Sequence, residues 1–253
     1  MTMSMGTGEK LDITKVIETT IGVIRRNFAS FAGIAGVFAG LPALIVFLSM
    51  PRMSPGAMPN FANSGSLAFG SLASLLASIV LQGAIIHMTA SDLAGRRATA
   101  AQGLTTGLRN LLPLILIGIL MFLGLCVGFI LLIIPAFILA LMWCVTVPVS
   151  VVERTEIFSS FSRSRDLTRD NRWRILALFV VIAVASAIIQ SVLGAIFGAF
   201  NPVIGISPIG AVGQALAATF SGMISSCVVA VLYTELRRIK DGVGISDLAA
   251  VFD

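Results

Sequence analysis

The sequence predicts an all-α, polytopic membrane protein of about six transmembrane helices in three hairpins, each hairpin preceded by an interfacial amphipathic helix. Composition is the first ground for this. Of 253 residues, 57% are hydrophobic and 11% charged, whereas a soluble domain carries about 25% charged residues. So little polar surface cannot clothe a water-soluble globule, and a mean hydropathy of +1.00 points to lipid as the solvent. The second ground is that the apolar residues gather into six uncharged runs. The third is that the basic residues fall almost wholly into alternate connections between those runs.

The elements follow in order. Residues 1–28 contain no short apolar core before a small-residue cleavage site, so the first apolar run is expected to stay in the protein as an anchor. Within 11–28, Ile13, Val16, Ile17, Ile21, Ile24 and Phe28 recur at helical spacing and leave Lys15, Glu18 and Arg25 on other faces, which reads as an interfacial helix. A helix needs about 20 apolar residues to cross the hydrocarbon core. The candidate crossings are Ala29–Met50 and Leu67–Ala90 (hairpin 1, 29–90), Leu111–Ile133 and Ala136–Val152 (hairpin 2, 111–152), and Ile175–Gly198 and Gly210–Thr234 (hairpin 3, 175–234). The uncharged run from Leu112 to Val152 is too long for one crossing. Pro135 removes a backbone donor and disfavours helix at Ile134, which predicts a tight turn there. Segment 98–110, with Leu104 and Leu108 as its apolar points, and the Arg-rich segment 154–174 read as the second and third interfacial helices. The tail, 235–253, is expected to lie on the same side, with Ser246 capping a short helix that carries Leu248, Val251 and Phe252 after a turn at Gly242 and Gly244.

Orientation follows from the basic residues. Residues 1–28, the second-to-third connection, the fourth-to-fifth connection and the tail hold four, three, six and three of them. Only Arg52 of the seventeen Lys and Arg residues falls on the other side of a six-span arrangement. Both termini are therefore expected in the cytoplasm and the protein in the inner membrane. The basic balance thus reads as topology and membrane contact, and no nucleic-acid partner is expected.

The junctions also repeat. Arg25-Arg26-Asn27-Phe28, Leu108-Arg109-Asn110-Leu111 and Asp170-Asn171-Arg172-Trp173 each set an asparagine beside basic residues at the entry to a hairpin. An asparagine so placed can accept hydrogen bonds from the exposed amides of a helix start.

The residues available for chemistry are few. Cys126, Cys144 and Cys227 lie in apolar runs without pairing or metal spacing and read as small apolar residues. His87, the single histidine, has no second ligand at metal spacing and reads as an interfacial, hydrogen-bonded residue. Met50, Met53 and Met58 could offer thioethers to Cu(I), but the Pro, Gly, Asn and Ser around them read as a loop. Gln82, Gln190 and Gln214 sit within the spans, either joining helices or lining a polar path. Gly36-x-x-x-Gly40, Gly124-x-x-x-Gly128 and Gly194-x-x-x-Gly198 predict close helix approach. No catalytic constellation can be assembled, so no enzyme and no cofactor is expected. The candidate site is the Arg-rich segment: Arg163, Arg165, Arg169, Arg172 and Arg174 with Trp173. Guanidinium groups bind lipid phosphates bidentately, and an indole is stable at the membrane interface; the same segment also reads as topology charge, with Arg–carboxylate pairs to Glu153, Glu156, Asp166 and Asp170 tying the interfacial helices together. The expected partners are anionic phospholipid and a membrane protein or second copy.

The stretch Ile134-Pro135, Trp143, Pro148, Glu153, Ser162-Arg163-Ser164-Arg165-Asp166-Leu167-Thr168 and Asn171-Arg172-Trp173-Arg174-Ile175 resembles a known family, as does the tail from Tyr233 to Gly242 and from Leu248 to Asp253. Together they look like the bacterial membrane domain fused, in some members, to glycerophosphodiester phosphodiesterases. The resemblance covers about residues 105–253 and implies a six-helix inner-membrane protein without a reaction of its own. The phosphodiesterase domain, with its metal-binding carboxylates and two histidines, has no counterpart in these residues. The function expected is that of a non-enzymatic membrane module that contacts lipid or a partner; the alternative is a transporter or lipid translocator without ion coupling, because no span holds an ionised side chain.

Overall fold

The computed structural model describes residues 10–49, 64–131, 133–199 and 208–242. Among them the regular structure is helical throughout: α1 (Ile13–Ala35), a π-helical turn (Gly36–Gly40), α2 (Leu41–Ser49), α3 (Ser64–Leu93), α4 (Ala100–Arg109), α5 (Leu111–Leu131), α6 (Ile133–Trp143), α7 (Thr146–Glu153), α8 (Ile157–Thr168), α9 (Arg172–Ala199) and α10 (Pro208–Asp241). Among the described residues six helical stretches are long and apolar enough to cross a membrane: Ile13–Leu48, Phe69–Leu93, Leu111–Ile130, Ile134–Glu153, Arg172–Phe197 and Ile209–Asp241. The chain is thus a multi-pass, all-α membrane protein. The loop with Met53 and Met58 and the tail beyond Gly242 lie outside the described residues.

Helices α1, α3 and α10 form the centre. Val16, Val23 and Phe31 of α1 meet Leu81, Ala84, Ile85 and Met88 of α3 and Met223, Cys227, Val231 and Leu236 of α10, all buried. Helices α5, α6 and α9 lie outside this trio and turn large apolar side chains outward. Phe122, Phe129 and Ile130 of α5 and Val180, Val184, Ile188 and Val192 of α9 are exposed, Ile130 to 84%. An apolar surface of this extent is stable against lipid, not water.

The first helix and its span are joined, not separate. α1 runs from Ile13 through the expected junction, and only Asn27 leaves helical geometry, at φ −114 and ψ 18. Asp12 caps its start, accepting from the amides of Thr14 and Lys15. The π-turn has a local cause. Pro42 lacks an N–H, and its ring would strike the carbonyl four residues back. The helix widens just before it, and the Leu41 amide reaches the Gly36 carbonyl five residues back. Gly36-x-x-x-Gly40 is therefore the π-turn itself, and a side chain at Gly40 would collide with Thr219 of α10.

Helix α5 ends at Leu131 and α6 begins at Ile133, so the turn expected at Ile134 and Pro135 is not there: Pro135 stands in the first turn of α6, where its missing donor costs nothing. Gly124 and Gly128 let α6 approach: an added Cβ would strike the Trp143 ring at the first and lie 2.9 Å from the Ala136 Cα at the second. No neighbour lies within 4 Å of a Cβ at Gly194. The fourth span is broken at Cys144 and Val145 into α6 and α7. The last span runs on past Thr234 to Asp241 and takes the basic tail residues Arg237, Arg238 and Lys240 into one helix.

Candidate functional site

The charged residues meet at one end of the bundle, where the short helices α4 and α8 also lie. The asparagine junctions recur there, but with a different chemistry from the one expected. Asn27 and Asn110 donate their Nδ2 to the carbonyls four residues back, Val23 at 3.1 Å and Thr106 at 2.8 Å. They thus close the end of the preceding helix instead of accepting amides from the next. Asn110 and Asn171 nevertheless start the following helix with their backbone carbonyls, which receive the Leu114 and Ile175 amides at 3.0 and 2.9 Å. The Asn171 side chain accepts from the Leu11 amide at 3.0 Å, 160 residues away, and Arg174 donates to the Leu11 carbonyl at 2.6 Å. The fully buried Leu11 is thereby held at the α8–α9 junction.

Ion pairs fasten the helices to one another at this end. Arg26 meets Asp92 at 2.6 Å, and Asn27 donates to the other oxygen of that carboxylate at 2.9 Å. Lys15 of α1 meets Glu235 of α10 at 2.8 Å, and Lys240 meets Asp170 at 2.8 Å. Arg163 lies between Glu153 of α7, at 3.5 Å, and Asp241 of α10, which it binds closely. Tyr233 donates its hydroxyl to the same Glu153 oxygen at 2.8 Å. Arg237 completes the group, 3.7 Å from Asp241. The carboxylates of Asp241 and Glu153 hold the Arg163 guanidinium above its ordinary pKa, against the opposing effect of partial burial.

Helix α8 has a role of its own. The break after α6 frees the Met142 carbonyl, and Ser164 donates to it at 2.8 Å. Ser160, Ser164, Leu167 and Thr168 form the buried face of α8, while Trp143 packs edge-on against Phe161 with ring centroids 5.1 Å apart. The Ser162–Thr168 motif therefore closes the end of α6 on one face and presents Arg165 and Asp166 on the other.

The six candidate residues consequently divide. Arg163 and Arg174 are engaged within the protein. Arg172 is half-buried and its Nε has no partner among the described residues. Arg165, Arg169 and Trp173 point outward, Trp173 with 84% of its surface exposed, and neither Arg165 nor Arg169 forms an ion pair among the described residues. Phe158 and Leu112 are exposed in the same zone, as are Phe28 and Leu108.

Two further features escaped the sequence reading. Gly103 and Gly107 seat α4 directly on α3: a Cβ at Gly107 would lie 2.6 Å from the Val80 carbonyl oxygen, and at Gly103 2.7 Å from Met88. Their four-residue spacing is the available signal, in a segment scored for its leucines. The other is a groove of about 660 Å³ beside the π-turn. Gln82 and Gln214 both line it, with Ser71, Ser74 and Ser78 along one face of α3, whereas Gln190 lies exposed on α9. Ser226, also in its wall, is buried with its hydroxyl unpartnered among the described residues.

Cys126, Cys144 and Cys227 are free thiols. No group of three or more metal-capable side chains occurs among the described residues. Compared with protein-family models, with curated proteins and with solved structures, the chain matches none.

Proposed function

We propose that the protein is a non-enzymatic inner-membrane module whose outward-facing basic surface, Arg165 and Arg169 with Trp173, contacts anionic phospholipid, with both termini in the cytoplasm. One observation carries this reading: a tryptophan exposed to 84% stands beside two outward-facing arginines where α8 gives way to the apolar, outward-facing α9. An indole in that position is stable at the headgroup level. The flanking guanidinium groups reach phosphates, each contributing about 1 kcal/mol near an anionic surface. The exposed Phe28, Leu108 and Phe158 support amphipathic entry segments lying in the interface. The resemblance to the membrane domain fused to some glycerophosphodiester phosphodiesterases fits a module of this kind.

The test is lipid retention by the purified chain in nanodiscs containing phosphatidylglycerol, followed by native mass spectrometry. Arg165→Gln/Arg169→Gln is expected to lose retained phosphatidylglycerol with its stability unchanged. Retention equal to that of the parent chain would remove the proposal. A protein that co-purifies in fixed ratio would make the surface a partner contact instead.

A second reading, uncoupled movement of a lipid or other amphiphile, is favoured by the serine- and glutamine-lined groove. It would need a route from that groove to the charged end. Ala84, Ile85 and Ile86 of α3, between the groove and His87, are buried almost completely. Movement would therefore require α3 to shift.

A further inference from the structure

Two adjoining cavities at the charged end involve residues other than the outward-facing surface. One has a volume of about 530 Å³ and the other about 300 Å³, and both are lined by His87, Thr105, Thr106 and Arg154. Arg96 and Arg97, from the connection between α3 and α4, line the larger; Arg109, in the last turn of α4, lines the smaller. Four arginines from three separate segments thus converge on one cleft, and among the described residues neither cavity has an acidic residue in its wall. Two of the acids nearest in sequence are turned elsewhere. Asp92 receives Arg26 and Asn27, and Glu153 receives Tyr233 and Arg163.

Position and chemistry then narrow the occupant. The guanidinium groups of Arg97, Arg109 and Arg154 at the edge of a low-dielectric bundle repel one another, and an anion placed among them relieves that repulsion. Guanidinium forks match the geometry of phosphate oxygens in pairs. The hydroxyls of Thr105 and Thr106 donate to their own helix, to the carbonyls of Ala101 and Gln102, so the arginines supply the donors. The cleft is also held in place before any ligand arrives. Gly103 and Gly107 lock α4 against α3, and a capping box between Thr99 and Gln102 fixes the start of α4. Arg154 enters the cleft from a left-handed backbone, φ 51 and ψ 36, the one non-glycine residue with positive φ among those described. A long side chain in that conformation is costly, and its persistence at the cleft suits a site-building role.

We propose that the cleft formed by Arg97, Arg109 and Arg154 binds a single phosphate-bearing anion, either a phospholipid headgroup or a soluble phosphate compound. The proposal stands apart from the Arg165–Arg169–Trp173 surface. The full-length chain is purified and titrated with inorganic phosphate by calorimetry in detergent; in parallel it is exchanged into phosphatidylglycerol nanodiscs and its retained lipid counted by native mass spectrometry. Three variants are compared with the parent: Arg97→Gln/Arg109→Gln, Arg154→Gly, and the outer-surface pair Arg165→Gln/Arg169→Gln. Loss of a charge-assisted contact is expected to weaken binding by about tenfold or more in the first two, with the outer-surface variant unchanged at this site. Arg154→Gly relieves the left-handed backbone, so ligand lost with an unchanged or raised Tm cannot be ascribed to misfolding. Saturable phosphate binding assigns the site to soluble phosphates. One phosphatidylglycerol that the outer-surface variant still retains and both cleft variants lose, with a silent phosphate titration, assigns it to a headgroup. Absence of both, or binding by the two cleft variants equal to the parent's, overturns the proposal, as does a loss confined to the outer-surface variant.

Discussion

At the residue scale, Glu153 gathers contacts from two other helices on one carboxylate oxygen: the Tyr233 hydroxyl from α10 and the Arg163 guanidinium from α8 both address it from their own elements. Tyr233 is buried to 1% exposure, so a hydroxyl left without an acceptor there has little water to turn to. Glu153→Ala is expected to lower stability by about 2 kcal/mol, and Tyr233→Phe by about 1 kcal/mol. The double variant should fall short of the sum, since both remove the same bond. Unfolding in mixed micelles measures all three, and strict additivity would show that the pair is uncoupled. The Lys240–Asp170 pair provides the contrast. The Lys240 ammonium holds the Asp170 carboxyl below its ordinary value of 3.8, so the pair's contribution is present above that value and is lost as pH falls through the lower, folded-state pKa. Asp170 is 69% exposed, and solvent screens most of this effect. Asp170→Asn should change stability at neutral pH by less than about 0.5 kcal/mol, read in the same unfolding assay.

At the scale of elements, glycine decides how closely α4 lies on α3. A side chain at Gly107 would press on the Val80 carbonyl at 2.6 Å, a backbone atom that cannot swing aside, whereas a Cβ at Gly118 of α5 has no neighbour within 4 Å. Gly107→Leu should therefore separate the two helices and lower stability by about 2 kcal/mol or more, while Gly118→Ala should leave it unchanged or raise it. Unfolding midpoints of the two variants decide the matter, and equal losses would show that both glycines serve only backbone freedom. These elements also show what the sequence could reveal. The six spans were legible because length and hydropathy alone define them, and the junction asparagines because they recur beside arginines. The break at Cys144 and Val145 was not legible. Its freed Met142 carbonyl is satisfied by Ser164, a tertiary contact that no local pattern encodes. The π-turn was half-legible: Pro42 announces a disturbance but not that the helix would widen. At the candidate surface, the sequence located the arginines and could not sort them. Arg163 and Arg165 differ by two positions, and only the fold turns one towards Glu153 and the other outward. The convergence of Arg97, Arg109 and Arg154 lay equally out of reach, because it depends on α4 folding back along α3.

At the scale of the whole molecule, the charge distribution and the packing bear on the same question of sidedness. The contacts Lys15–Glu235, Arg26–Asp92, Arg163–Asp241 and Lys240–Asp170 link α1, α3, α8 and α10 at one end of the bundle. The sequence places sixteen of the seventeen basic residues in connections that a six-span arrangement assigns to that end. Retention of basic segments on the cytoplasmic side is an insertion effect summed over short loops, so an imbalance this large should survive loss of any single charge. Orientation can then be read by labelling with a membrane-impermeant maleimide. The native thiols interfere little, because Cys227 is buried and Cys126 and Cys144 sit in apolar spans. Asp166→Cys, on the exposed face of α8, should react in inverted vesicles and stay protected in intact cells with a permeabilised outer membrane. Arg52→Cys, in the opposite connection, should do the reverse. Reaction of both positions from the same face would break the six-span alternation. Reversal of both would keep the alternation and place the basic end, with its arginine cleft and Trp173, outside the cell, away from the cytoplasmic leaflet in which the proposed lipid contacts are made.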